Sequence, residues 1–217
     1  ITLPSTVIKI DDCTFKGCTE LRQVVLNKGL KKIGMEVFLA CRGLERIVIP
    51  STVTHIGKGS FLDCRVLVSV TLNEGLQMIG GGAFEICSSL RSITIPSSVT
   101  EISDNAFGCC TSLRDIVLNG RIKKIGEAAF YQCRSLQSIK LPHIEVISKT
   151  SFKGCRSLRE VGLNEETQEI GKDAFEECPL LQRFSLPHLS MRAEAIMHDS
   201  RWEEIRNKID NTYGVHR

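Results

Sequence analysis

Cysteine is the residue type best placed to do chemistry in this chain. Ten occur among 217 residues, and eight are evenly spaced: Cys18, Cys41, Cys64, Cys87, Cys110, Cys133, Cys155 and Cys178. Such a set is open to three chemistries: a ladder of buried thiols, stacked disulfides, or metal sites. Neighbouring equivalents in a stack come within disulfide reach, but identically oriented side chains seldom offer the required dihedral. Zinc needs four converging ligands, and no C-x-x-C pair exists. Each spaced cysteine stands three residues after a phenylalanine and three before a leucine. A small hydrophobe belongs in such a place, and the buried ladder is the favoured reading. Cys13 and Cys109 fall outside the spacing. Cys109, beside Cys110, is expected to point outward as the more reactive thiol, with an inert surface cysteine as the plainer alternative.

Other candidates are weaker. Glycines 80 to 82 lie in neither G-x-G-x-x-G nor G-K-S/T and read as slack in a repeat rather than a phosphate loop. His143 and His188 each follow L-P, on equivalent turns too far apart to share a metal. No G-x-S-x-G, H-E-x-x-H or calcium-loop pattern is present. Neither catalysis nor a cofactor or metal is therefore expected. A formal charge of +3 and twelve aromatics, one of them tryptophan, give no footprint for nucleic acid. No apolar run approaches the length of a membrane span, so direct membrane insertion is not expected.

These residues are positioned by a repeat of 23 residues. Phenylalanine recurs at Phe15, Phe38, Phe61, Phe84, Phe107, Phe130, Phe152 and Phe175, and isoleucine at Ile10, Ile33, Ile56, Ile79, Ile102, Ile125, Ile147 and Ile170. One step of 22, between Cys133 and Cys155, is the single slip. The unit reads roughly I-x-L-(P/N)-x-x-V-x-x-I-G-x-x-A-F-x-x-C-x-x-L-x-x. Proline and asparagine alternate at its fourth place, from Pro4 and Asn27 onward, so a 46-residue doublet underlies the array and no unbroken asparagine ladder can run along it. I-x-L suits a short strand with one buried face, and V-x-x-I-G a second extended piece. The i, i+3 spacing of A-F-x-x-C suits a helical turn. No coil can bury its own apolar face, so coils must stack. The expected class is an α/β repeat: a solenoid of about eight coils with short parallel strands.

IPSTVTHIGKGSFLDCRVLVS at residues 49 to 69 and IPSSVTEISDNAFGCCTSLRD at residues 95 to 115 resemble the BspA-like class of leucine-rich repeats. The alternating form LNEGLQMIGGGAF, at residues 72 to 84, is similar to versions expanded in diatoms. The resemblance covers residues 1 to about 187. It implies a right-handed leucine-rich-repeat solenoid with parallel strands that binds through an extended surface. The pattern departs from ordinary leucine-rich repeats, whose asparagine would fall at Gly29 or Gly75.

Recognition belongs to the variable positions. On the first strand of each unit the residues flanking the inward isoleucine or valine point outward: Gln23 and Val25, Arg46 and Val48, Ser69 and Thr71, Ser92 and Thr94, Asp115 and Val117, Ser138 and Lys140. This stripe is the candidate partner-binding face, against the plainer reading of a solvated sheet. A second row follows the spaced cysteines at Arg42, Arg65, Arg134 and Arg156, with solubilising charge as the safer reading and an acidic partner as the bolder one. After Pro187 the repeat grammar stops. Ser190 to Met197 carries helix formers, and Ser200 with Glu203 makes a capping box before Trp202, Ile205 and Ile209. Residues 1–187 are thus expected to form the array and residues 188–217 a C-terminal helical cap or docking helix. Ile1 stands in mid-pattern, so further coils or a cap are expected ahead of it. The leading functional expectation is a non-catalytic module that presents its solenoid face to a protein or cell-surface ligand. The alternative is a structural subunit that docks through Trp202, Ile205 and Ile209.

Overall fold

A computed structural model describes residues 1–164, 166–186 and 189–192 of the chain. The first strands are β1 (Lys9–Ile10), β2 (Lys32–Ile33), β3 (Arg46–Val48), β4 (His55–Ile56), β5 (Ser69–Thr71), β6 (Met78–Ile79), β7 (Ser92–Ile95) and β8 (Glu101–Ile102). They continue as β9 (Asp115–Leu118), β10 (Lys124–Ile125), β11 (Ser138–Lys140), β12 (Val146–Ile147), β13 (Glu160–Gly162), β14 (Glu169–Ile170), β15 (Arg183–Leu186) and β16 (Leu189–Arg192). Each coil places one strand in each of two rows. The first row holds β3, β5, β7, β9, β11, β13 and β15, and is carried back to the first coils by the bridges Gln23↔Arg46 and Thr2↔Val25. The second holds β1, β2, β4 and β6, then β8, β10, β12 and β14.

Pairing up to β15 is parallel and one coil out of step, as in Ile10↔Ile33, Ile33↔Ile56 and Ile56↔Ile79. Strands of two to four residues are too short to hold a sheet by themselves; the inward side chain of each fixes the register. In the first row those are Val24, Ile47, Val70, Ile93, Ile116, Ile139 and Val161, all buried. The 22-residue step is absorbed outside the ladders. In the earlier proline coils the proline carbonyl closes the turn, as Pro50 O accepts from Val53 N at 3.0 Å, whereas in the short coil Leu141 O accepts from Ile144 N at 3.4 Å. Phe130 and Phe152 therefore still stack, at 5.2 Å.

The third side of each coil is the A-F-x-x-C segment, and here the structure departs from expectation. It forms no helical turn. Two residues per coil, two places before and two after the phenylalanine, take the left-handed conformation. In the fourth coil these are Gly82 and Ile86, at φ 62° and 60°, and in the fifth Asn105 and Cys109, at 56° and 58°. The reversal points alternate N–H groups along the solenoid axis. Gly82, Phe84 and Ile86 donate to Asp104, Ala106 and Gly108 of the next coil at 2.8, 2.9 and 2.8 Å, while Glu85 and Cys87 close i−3 turns within their own coil. Both sets of donors are satisfied, which a helix would achieve only within one coil.

The α/β class and the helical cap are both corrected by this structure. It is a parallel-strand β-solenoid of about eight turns, and no described residue is helical. At Ser190, where helix formers begin, the chain instead forms β16, which pairs antiparallel with β15 through Phe184↔Met191 and Ser185↔Ser190. Antiparallel pairing ends the parallel stack at this row's edge. Trp202, Ile205 and Ile209 lie outside the described residues.

Candidate interaction surface

The cysteine ladder lies in the core. Cys41, Cys64, Cys87, Cys110, Cys133, Cys155 and Cys178 are buried, Cys18 in the first coil is exposed, and none of the ten cysteines is joined in a disulfide. Each buried thiol donates to the phenylalanine carbonyl of the preceding coil: Cys64 to Phe38 at 3.1 Å, Cys87 to Phe61 at 3.2 Å, Cys110 to Phe84 at 3.1 Å. That carbonyl already accepts the N–H of its own coil's cysteine, as Phe61 O does from Cys64 N at 3.3 Å. Sulfur thus supplies the second partner of a buried oxygen with two lone pairs. Burial pushes the Cys41 thiol up to about 11 and holds Cys87, Cys133 and Cys155 well above the ordinary range. A thiol kept neutral is neither nucleophile nor metal ligand.

Cys109 is half-buried on the third side. Burial first, and Glu85 second, raise its thiol, the opposite of an activated nucleophile. Glycines 80 to 82 have packing tasks. A Cβ on Gly80 would sit 2.6 Å from Lys58 N, and Gly82 occupies a left-handed position. His143 is half-buried on its turn, and His188 lies outside the described residues. Among the described residues no three His, Cys, Asp or Glu side chains converge as a metal site would require, and no helix is long and apolar enough to cross a membrane.

The arginine row is paired along the array. Arg42 Nη2 lies 2.7 Å and Arg65 Nε 2.6 Å from the Asp63 carboxylate, and Arg134 Nε donates to Gln132 at 2.9 Å. Burial works to raise Asp63, but the hydrogen bonds from Arg65 and Arg42 outweigh it and leave its carboxyl below the usual range. Arg42 thus reaches the left-handed turn of the next coil, while Arg65 and Arg134 bond within their own coil, and either way less of their charge is left for a partner.

On the outer face of the first row, Gln23, Val25, Arg46, Val48, Thr71, Ser92, Thr94, Asp115, Val117, Ser138 and Lys140 are exposed and Ser69 is half-buried. Parallel register sets them in two lines. Arg46 stands beside Ser69 and Val48 beside Thr71; Ser92 stands beside Asp115 and Thr94 beside Val117. The face is not uniform. A groove of about 1020 Å³ opens over Gln23, Val25, Arg46 and Val48, walled by Arg22, Lys28, Glu45, Pro50 and Asn73. A smaller one of about 210 Å³ covers Ser69, Thr71, Ser92 and Thr94. Sequence reasoning missed the walls, because Lys28, Pro50 and Asn73 belong to the turns beyond the strands and approach the stripe only when coils stack. The alternation of proline and asparagine was the available signal. Asn73 Nδ2 donates to Ile49 O of the preceding coil at 2.5 Å, and Asn27 Nδ2 to Pro4 O at 2.8 Å, which draws each asparagine turn onto a proline turn.

Comparison with known proteins fits this geometry. The model of the BspA type leucine rich repeat region matches residues 1–114 and 83–198, with six copies. No curated protein matches the chain. Among solved structures, a leucine-rich repeat protein from Bacteroides ovatus is similar at 32% identity and TM-score 0.83, over 98% of this chain and 52% of that one. The chain thus spans about half the length of that relative. The T. pallidum leucine rich repeat protein is similar at 26% identity and TM-score 0.58, over 83% of this chain and 77% of that one. One from Eubacterium ventriosum shares the fold alone, at 16% identity and TM-score 0.53, over 82% and 64%. With the repeat pattern matched across nearly the whole array and the coils stacked in one register, the chain belongs to the BspA-type leucine-rich repeat family.

Proposed function

We propose that the chain is a non-catalytic interaction module that binds a protein ligand, on a cell surface or in solution, through the outer face of its first strand row. The observation that carries this reading is the groove over the second to fourth coils, with Val25 and Val48 exposed by 46% and 60% within it. Two neighbouring valines left open in a walled groove offer apolar area that a partner can remove from water. A solenoid suits such a task, since its many small interfaces hold the face rigid and little order is lost on binding. Peptides selected from a random display library on the immobilised chain test the proposal. Peptides from that selection should lose at least about tenfold in affinity for a Val25→Asp, Val48→Asp variant, while its circular dichroism and urea midpoint stay unchanged. Selection of no peptide sensitive to the two substitutions would sink the reading.

A further inference from the structure

The groove's charge narrows the partner's chemistry. Several cations on the array are paired with a carboxylate of a neighbouring coil: Lys16 with Glu36 at 2.7 Å, Lys124 with Glu101 at 3.1 Å, Lys149 with Glu127 at 3.1 Å, and Lys153 with Glu176. Around the groove there is no such pairing. Arg22, Lys28 and Arg46 all wall it, and none makes an ion pair or a side-chain hydrogen bond among the described residues. The one carboxylate there, Glu45, is likewise unpaired and leaves the rim with a net positive charge. Two of the neutral polar groups are already engaged, Thr52 Oγ1 with Leu30 O at 2.6 Å and Asn73 Nδ2 with Ile49 O at 2.5 Å. Beside the neutral Gln23 and Ser51, the charged donors open to a ligand are therefore Arg22, Lys28 and Arg46.

We infer that the groove takes an extended protein segment in which acidic side chains flank one or two apolar ones. This rests on the docking function proposed above. Val25 and Val48 lie between the cations in chain order, with Arg22 and Arg46 ahead of them and Lys28 in the turn beyond. An apolar side chain seated on the valines would place flanking carboxylates beside the guanidinium groups, whose planar fork donates to both oxygens of a carboxylate. A polyanionic glycan satisfies the cations but offers nothing to the valines. The apolar floor decides for protein.

The same display selection on the full chain tests this, with a second variant. Enriched peptides should carry aspartate or glutamate on both sides of a leucine, isoleucine or phenylalanine. Their affinity should fall at least about tenfold in an Arg22→Glu, Arg46→Glu variant, recover in part when the peptide acids are exchanged for lysine, and weaken with added salt. Both arginines are exposed and unpaired, so the folded array should be retained. Peptides without acids, lost on Val48→Asp but indifferent to Arg22→Glu, Arg46→Glu, would overturn the acidic chemistry and leave the docking site standing. Peptides indifferent to both variants would overturn the two together. Binding of a heparin oligosaccharide that depends on the same arginines, with no peptide enriched, would assign the groove to glycans instead.

Discussion

Raising the pH should dismantle the solenoid through its cysteine ladder. Cys41, Cys64, Cys87, Cys110, Cys133 and Cys155 all have thiols raised by burial. In the unfolded chain the same groups ionise near pH ~8.5. Above that pH the folded state holds more protons than the unfolded one, so stability falls as pH rises and is fully present only below it. Each thiol contributes about 1.4 kcal/mol per pH unit, so six contribute about 8 kcal/mol per unit. A domain is usually stable by only about 5–15 kcal/mol. Urea unfolding followed by circular dichroism from pH 7.5 to 10, with a phosphine reductant, should show a midpoint that collapses above about pH 9. Tyrosine and lysine also titrate there, so the decisive comparison is with a Cys87→Ala, Cys110→Ala variant. Whatever its stability at neutral pH, its slope should be shallower by about 3 kcal/mol per unit, because two raised thiols at about 1.4 kcal/mol per unit each are gone. Equal slopes in the two proteins would refute the claim that the ladder resists ionisation.

Phe84, fully buried with ring centroids of Phe61 and Phe107 at 5.2 and 5.5 Å, should cost roughly 3–5 kcal/mol on replacement by alanine in urea titrations. Phe15→Ala should cost about half that, since Phe15 is half-buried and stacks only on Phe38. Timed labelling with a thiol reagent on the native chain should modify exposed Cys13 and Cys18 first, Cys109 later, and the seven buried thiols only with unfolding; early labelling of Cys87 would contradict the fold. At position 86, φ 60° reverses the usual order of substitutions: Ile86→Gly should be more stable than Ile86→Ala by about 1 kcal/mol. Asp63, with its carboxyl held below the usual range, supports the fold at and above ordinary carboxylate pH and loses that support as pH falls through its depressed value. Asp63→Asn should accordingly flatten the acid limb of the stability curve, and an unaltered limb would show that the arginine pair does not matter.

The ladders were readable because stacking makes each of them a column in the sequence. Phe15 through Phe175 stand one coil apart and are stacked, with ring centroids 5.2 to 5.5 Å apart. The outward set on the first strands was readable by alternation, because Val24, Ile47 and Val70 had to be inside. The groove was not. Its walls depend on how turns lean across coils, which no single column records. The end of the array was misread for a different reason. Leu189, Ser190, Met191 and Arg192 alternate apolar with polar, a strand signal two residues in period, but the helix formers that follow drew the reading toward a cap.

The third side shows why local spacing cannot decide between a helical turn and this ladder. Residues i and i+3 meet in both, so A-F-x-x-C fits either. The two differ in where alternate N–H groups point, and that is set by the neighbouring coil. The left-handed columns carry some warning: Gly59, Gly82 and Asn105 lie in one, and Gly17, Asp63 and Gly154 in the other, all residue types that tolerate positive φ. Ala40, Ile86 and Gln132 occupy the same columns without that tolerance. Their conformation is imposed by hydrogen bonds to the next coil, such as Ala40 N to Leu62 O at 2.7 Å and Ile86 N to Gly108 O at 2.8 Å. A coil separated from its neighbour loses those bonds and keeps the strain. Stacking therefore creates the shape of each coil as well as stabilising it, and the unit of folding here is the contact between coils rather than the 23-residue repeat.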